Sequence, residues 1–511
     1  MSIRTSGNLT QDRLYADALV VLQPGFDGVT VPDWIRRSVA DGLLSVALYG
    51  RNCTSPEQVA ALTADLHKEN PDILVAIDEE GGDVTRLEVV NGSSWPGNLA
   101  LGAIDDPAVT RAVARELGHS LVACGVNFNW APSADVNANP DNPVIGVRAF
   151  GADPQLCARH TAAWVEGLQS VGIAACAKHF PGHGDTAVDS HHGLPTIDVT
   201  EPVLRERDLV PFQAAIDQGV KAVMTAHIMA TALDTEYPAT LSHSVLTKLL
   251  RAPRVEGGLG FEGLIVTDAI EMGAISRTYG AARGTVLAIA AGADAICTGG
   301  ETYDEAFVTE LAGAVVRAVH DGDLPEERLA DAADRVRTLG AWTAEQGRPD
   351  GRRAPDPEVG LAAARRALRV TTHARHTPVT GPVHVATFAP EANVAAGGAT
   401  PWGAAAAVAE LLPGSGHATY TEEPAAADGT SGLLARVLGE AGERRVVAVV
   451  RDVHRRPWMT DALRALVAAR PDTVVIEMGV PQAEPVGSLH IATYGASPVC
   501  GRAAAEVIAG R

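Results

Sequence analysis

The sequence predicts an α/β protein built as a (β/α)8 TIM-like barrel followed by a smaller α/β sandwich domain. Three observations carry this expectation. Short apolar runs recur with amphipathic helical stretches between them, polar residues gather directly after those runs, and a Gly/Pro/Arg-rich stretch precedes a second alternation of the same kind.

In chain order the runs of the first region are Ala18–Gln23, Leu43–Tyr49, Ile73–Ile77, Val126–Trp130, Ile173–Ala177, Lys221–Thr225, Gly263–Thr267 and Ala293–Thr298. Continuous apolar strands separated by helices indicate a parallel sheet covered on both faces. Eight such units in about 300 residues fit a closed barrel better than an open sheet. Its last helices are expected near Asp304–Val319 and Leu324–Trp342. The polar stretch from Glu345 to Pro357 reads as a linker, and a helix is expected near Glu358–Val370. Strands of the second alternation are expected at Val383–Phe388, Val446–Arg451, Thr473–Met478 and Leu489–Tyr494, with Ala395–Ala407 a loose helix or a loop. The domains are therefore expected at 1–343 (barrel), 344–380 (linker and connecting helix) and 381–511 (sandwich).

Composition narrows the function classes. The chain has 511 residues, 46% of them hydrophobic, which excludes intrinsic disorder. Lys+Arg number 41 against 62 Asp+Glu, a net charge of −21 that repels nucleic acid, and 4% aromatics offer little base stacking. The six cysteines are widely spaced with no C-x-x-C pair, which reads as buried thiols in a reducing compartment. The first ten residues lack an apolar signal core, and no run of about 18 apolar residues follows. A cytoplasmic enzyme without a membrane partner is expected. Lysines occur only at positions 68, 178, 221 and 248, so a lysine inside a motif stands out.

In a barrel of this kind, reactive groups occupy the loops after the strands. The third run leads into Asp78-Glu-Glu-Gly-Gly-Asp-Val-Thr-Arg86, and the fourth into Ala131-Pro-Ser-Ala-Asp and on to Arg148. The fifth leads into Lys178-His-Phe-Pro-Gly-His-Gly-Asp-Thr-Ala-Val-Asp-Ser-His191-His192, the sixth into Ala226-His227, and the seventh into Asp268. A carboxylate at Asp268 faces the barrel mouth, where a reacting carbon could meet it; the alternative is a helix N-cap for the turn that follows. Asp189 and His191, two residues apart in an extended loop, fall on one face. A carboxylate partner raises the histidine pKa above about 6.5, as a general acid at neutral pH needs, whereas an Asx-turn would make this a plain surface loop. His179, His183, Asp185, Asp189, His191 and His192 have ligand types suited to zinc, but Pro181-Gly182 breaks any helix that would align them, and no H-E-x-x-H is present. Lys178, His179, Arg86 and Arg148 are donors suited to a hydroxyl-rich ligand. Arg pairing to Asp78 or Glu80 is the plainer alternative.

These residues resemble glycoside hydrolase family 3, and among its branches the bacterial β-N-acetylglucosaminidases. The resemblance rests on Asp78-x-Glu-Gly-Gly-x-Val-x-Arg86, Asn127-Phe-Asn-Trp-Ala-Pro, Asn139-Pro-Asp-Asn-Pro-Val-Ile-Gly-x-Arg148, Lys178-His-Phe-Pro-Gly-His-Gly-Asp-Thr, Asp189-Ser-His191, Pro238-Ala-Thr-Leu-Ser242 and Gly263-Leu-Ile-Val-Thr-Asp268. It covers roughly residues 10–340. It implies a retaining mechanism with Asp268 as nucleophile, His191 as acid/base held by Asp189, and Asp78, Arg86, Arg148, Lys178 and His179 holding sugar hydroxyls. No cofactor and no metal are expected, with a metal-dependent hydrolase using the His/Asp loop as an alternative reading. The expected partner is a small GlcNAc-containing saccharide, with the protein a monomer or a homodimer.

Most retaining glycosidases use two carboxylates. A histidine acid/base becomes neutral on giving up its proton, so the glycosyl-enzyme is less hostile to an anion, and inorganic phosphate stays open as an alternative acceptor to water. In other branches the acid/base comes from the second domain, which keeps Glu477 and Glu484 open. The sequence departs from the family at Asp83 (usually basic), Ala149 (commonly Ser) and Ala269 (often a second Asp).

Overall fold

A computed structural model describes residues 6–187, 193–346, 353–373, 376–390 and 400–511. The chain forms two compact units, and their division is not linear in sequence. The first comprises Met1–Glu79, Thr110–Pro143 and Ala152–Pro355; the second comprises Glu80–Val109, Val144–Gly151 and Asp356–Arg511. Residues 80–109 and 144–151, which the sequence reading put in the barrel domain, thus cluster with the later part of the chain.

Eight parallel strands build the ring of the first unit: β1 (Leu22–Pro24), β2 (Ser45–Leu48), β3 (Leu74–Ile77), β4 (Phe128–Asn129), β5 (Ala174–Phe180), β6 (Ala222–Thr225), β7 (Leu264–Thr267) and β8 (Ile296–Thr298). Strands β2 to β7 pair in chain order, and β8 pairs with β1. Single bridges Gly25↔Ala47 and Val266↔Ala295 join the two sets, so the ring closes and leaves no open edge. Every residue of these strands is buried, which is why they read as unbroken apolar runs instead of alternating ones.

Helices between the strands start where the sequence provides caps. Ser55, Asp153 and Asp304 each accept the N–H three residues on, and Pro56 and Pro154 occupy first-turn positions. Helix Glu305–Asp321 buries Val308, Leu311, Ala312 and Val315, one face at helical spacing. Each such fully buried Val or Leu is worth about 1.5–3 kcal/mol.

Two boundaries differ from expectation. Ala18–Val20 end the helix Ser6–Val20, and the first strand begins only at Leu22. An apolar run at a helix end and one in a buried strand have the same composition. The fifth strand runs on to Phe180, so Lys178 and His179 lie within it and are buried.

The second unit centres on a six-stranded sheet: β9 (Arg369–Thr372), β10 (Val383–Ala389), β11 (Gly416–Thr421), β12 (Arg445–Val450), β13 (Val474–Glu477) and β14 (Leu489–Ala492). The order is β9-β14-β13-β12-β10-β11, with β9 the antiparallel edge and the rest parallel. Side chains alternate between two cores. Val385, Val447 and Val449 meet helices Pro357–Ala367, Ala405–Leu411 and Pro498–Ile508, while Ala386, Val446 and Ala448 meet Glu422–Ala441 and Pro457–Ala469.

The segment after β3 packs into this unit through Asp83. Its Oδ1 accepts Ala496 N–H at 2.9 Å, and its carboxylate pairs with Arg451. The acidic departure at position 83 therefore has a partner. Among the described residues, no helix is long and apolar enough to cross a membrane.

Candidate active site

Strand ends of the first unit bring Asp78, Lys178 and His179 together. Lys178 Nζ, deeply buried on β5, pairs with the Asp78 carboxylate after β3. The neighbouring His179 is fixed by Asp135, a residue of the loop after β4: Nδ1 meets Asp135 Oδ2 at 2.7 Å. The same carboxylate accepts His183 N–H at 2.6 Å, His179 N–H at 3.3 Å and the Ser133 hydroxyl at 2.9 Å. Burial works to raise the Asp135 carboxyl, but His179 and His183 hold it below the ordinary carboxylate value. Asp135 is thus a charged, saturated anchor that orients two histidines.

The Thr186 hydroxyl lies 2.7 Å from His183 Nδ1 and 3.0 Å from His183 O. His183 Nε2 is buried and has no hydrogen-bond partner among the described residues. Burial, followed by the nearby His179, pushes the imidazole down to about 4 against the opposing pull of Asp135 and Asp268. Gly182, at φ +126°, precedes it where a side chain would meet Asp208.

Asp268 follows β7 and is half-buried. Its Oδ1 accepts the N–H of Ala269 at 2.8 Å. It caps no helix starting at Ala269, because the next helix is the short Gly273–Ser276 with Met272 as its N-cap residue. Two side chains add to the backbone bonds that pin the intervening turn. Glu271 Oε1 collects the N–H groups of Gly299, Gly300 and Glu301 at 2.8, 2.7 and 3.2 Å, while burial still raises its carboxyl above the ordinary value. His227 Nε2 meets Ala269 O at 2.9 Å.

The loop after β5 is tied at its base. Arg207 bonds Asp185 Oδ2 at 2.9 Å and Asp208 Oδ2 through Nε and Nη2 at 3.1 and 2.9 Å. Burial raises the Asp208 carboxyl to about 6. Asp189, His191 and His192 lie outside the described residues.

Arg86 and Arg148 belong to segments of the second unit. Arg148 makes a bidentate pair with Glu80, Nε–Oε2 at 3.0 Å and Nη2–Oε1 at 2.7 Å, so carboxylate pairing at this arginine is present. Arg86 is half-buried. Glu477, the second-domain carboxylate kept open above, accepts N–H groups of Asp452, Gly479 and Val453 at 2.9, 2.8 and 3.4 Å. Burial, then Asp452, raises it to about 7. Glu484 is exposed. Among the described residues, no group of three or more His, Cys, Asp and Glu could hold a metal ion.

Sequence reasoning passed over Asp135, Thr240 and Glu271, each buried and hydrogen-bonded. The available signal is a polar residue in the loop that follows an apolar run: Asp135 comes after Phe128–Asn129 and Glu271 after Leu264–Thr267.

Residues 30–339 match the glycosyl hydrolase family 3 N terminal domain. The chain is similar to beta-hexosaminidase A of Pseudoalteromonas piscicida, 32% identical over 353 residues, which cover 64% of this chain and 56% of that protein. It is similar to a beta-hexosaminidase of Alkalilimnicola ehrlichii, 38% identical over 257 residues, or 49% of this chain and 72% of that one. The match thus spans little more than half the length of the first of these relatives. Among solved structures, a glycoside hydrolase family 3 beta-N-acetylglucosaminidase from Paenibacillus sp. str. FPU-7 superposes with a TM-score of 0.85 at 32% identity, covering 97% of this chain and 96% of that one.

Proposed function

Because the chain belongs to glycosyl hydrolase family 3, we propose that it is a retaining, exo-acting β-N-acetylglucosaminidase. It removes terminal N-acetylglucosamine from small cell-wall- or chitin-derived saccharides, in keeping with what its relatives are named for. The observation that supports it most is Asp268, a half-buried carboxylate at a barrel strand end, held by its own neighbour's N–H.

In this reading Asp268 attacks the anomeric carbon as the glycosidic bond breaks. His191, held by Asp189, gives its proton to the departing oxygen, and the product is a glycosyl ester on Asp268. His191, now neutral, takes a proton from water, which attacks the same carbon and releases the sugar and the carboxylate. Two inversions leave the β configuration. Asp78, Lys178, His179, Arg86 and Arg148 grip the hydroxyls. Six cysteines, all buried and none in a disulfide, support work in a reducing compartment such as the cytoplasm.

The test is turnover of p-nitrophenyl β-N-acetylglucosaminide followed by NMR. The expected first product is the β-anomer of the free sugar, at a rate indifferent to phosphate. Release of the α-anomer would overturn the retaining mechanism. A rate that climbs with phosphate, yielding a sugar 1-phosphate, would replace hydrolysis by phosphorolysis.

A further inference from the structure

Two motifs of the barrel carry no duty in the reaction as written: Ala226-His227 after β6, and Pro238-Ala-Thr240-Leu-Ser242 downstream. The fold joins them. The turn at Ala239–Leu241 is fixed to the chain after β6 by Ala239 N–H donating to Ile228 O at 2.8 Å and by the Ser242 hydroxyl donating to Asp234 at 2.6 Å. This sets Thr240 Oγ1 at 2.7 Å from Thr225 Oγ1, 2.9 Å from Ala226 O and 2.8 Å from His227 Nδ1. The ring's other nitrogen reaches Ala269 O at 2.9 Å. A carbonyl only accepts, so Nε2 carries the proton. Thr225, His227 and Thr240 are completely buried, and every polar side-chain atom of the row has a hydrogen-bond partner.

The row ends one residue from the carboxylate proposed as nucleophile. Ala269 is held at both of its backbone polar groups: its N–H by Asp268 Oδ1 at 2.8 Å, and its C=O by His227 Nε2 at 2.9 Å together with the Met272 N–H at 3.0 Å. The N–H bond to one carboxylate oxygen fixes the rotation of the group and lightens the charge it regains when the glycosyl ester is cleaved. That N–H stays aimed only while residue 269 keeps its backbone orientation. Position 269 carries no polar side chain that could do this itself.

We infer that His227, seated by Thr240, is the positioning residue of Asp268, acting through the Ala269 peptide and not on the sugar. This rests on the reading of Asp268 as nucleophile. The amide nitrogen of Gln falls near Nε2 of His, and that of Asn falls near Nδ1. His227→Gln therefore keeps the bond to Ala269, and His227→Asn keeps only the one to Thr240.

In the full chain, His227→Asn is expected to lower kcat and kcat/KM together by about 100-fold with little change in KM, the signature of a misplaced reacting group. His227→Gln should recover most of that loss. Equal activity of the two variants would overturn the inference, since a packing role does not distinguish the two nitrogens. Should His227→Asn fail to fold, Thr240→Val against Thr240→Ser asks the same question from the other side. A loss of about 10-fold in the first, restored in the second, is expected; equal rates overturn the proposal.

Labelling with a 5-fluoro N-acetylglucosaminyl fluoride and peptide mass spectrometry separates the two layers. A label on a residue other than Asp268 removes the nucleophile reading whatever His227 does. A label on Asp268 that forms in His227→Asn as fast as in the unaltered protein removes the positioning role alone.

Discussion

Asp268 follows β7 of the barrel and Glu477 closes β13 of the open sheet. Both carboxylates sit at the C-terminal end of a buried parallel strand, and both accept backbone N–H groups. Glu477 takes three of them, lies at 2% exposure, and is raised to about 7 by burial and Asp452. Asp268 is half-buried and bonded by Ala269 N–H. A strand end is a good place for a reactive carboxylate only when solvent and substrate still reach it. Where the backbone wraps it completely, the same residue type becomes an anchor for the turns that follow.

The largest expected effect tests this contrast directly. Asp268→Asn should lower kcat by about 10⁴-fold with the fold intact. Glu477→Gln should leave turnover within about threefold, but cost about 1–3 kcal/mol in denaturant unfolding, because the amide NH2 faces backbone donors. If Glu477→Gln abolished turnover while Asp268→Asn did not, the roles would be reversed and the acid/base and nucleophile would have to be sought again.

A second contrast lies between two ion pairs, one in each unit. Lys178 pairs with Asp78 at side-chain exposures of 3% and 17%, and Arg148 with Glu80 at 7% and 3%. Removing one partner deprives the other of this counter-charge. Water still reaches Asp78, whereas Glu80 loses a bidentate partner in a dry site. Arg148→Met is therefore expected to cost about 4 kcal/mol and Lys178→Met about 2 kcal/mol in urea unfolding. The reverse ranking would show that exposure does not govern the cost.

Much of the barrel was readable because its strands are buried on both faces and need no alternation. Asp78 and Asp268 were visible as the first charges after apolar runs, and Lys178 because lysine is rare in this chain. Two strands of the second unit went unseen for the opposite reason. β9 is almost wholly exposed and β11 alternates weakly, so neither carries an apolar signature. Ala18–Val20 misled because a buried helix end looks like a strand. Asp135 could be seen in Pro-Ser-Ala-Asp, but its bonds to His179 and His183 depend on bringing the loop after β4 against the end of β5 and the loop that follows it. No local pattern announces a contact of 44 to 48 residues' separation. The allegiance of residues 80–109 is equally non-local: Asp83 meets Arg451 and Ala496, and Asp106 meets Arg366.

The smallest effect is also the most specific to the two-unit comparison. His183 in the first unit is pushed down to about 4, so its neutral form contributes stability that is complete above pH 6.5 and lost as the pH falls toward 4. Glu477 in the second unit is pushed up to about 7, so its protonated form contributes stability that is complete below pH 4.5 and lost as the pH rises through 7. Going from pH 7 to pH 5 should thus weaken the first unit and strengthen the second, each by about 2 kcal/mol. Hydrogen exchange on peptides from β5 and β12 would report the two separately, and Glu477→Gln should remove only the second response. Were both units to weaken together, burial of these two groups would not be what sets their response to acid. The contrast between a neutral buried base and a neutral buried acid would then have to give way to a charge effect spread over the whole acidic surface.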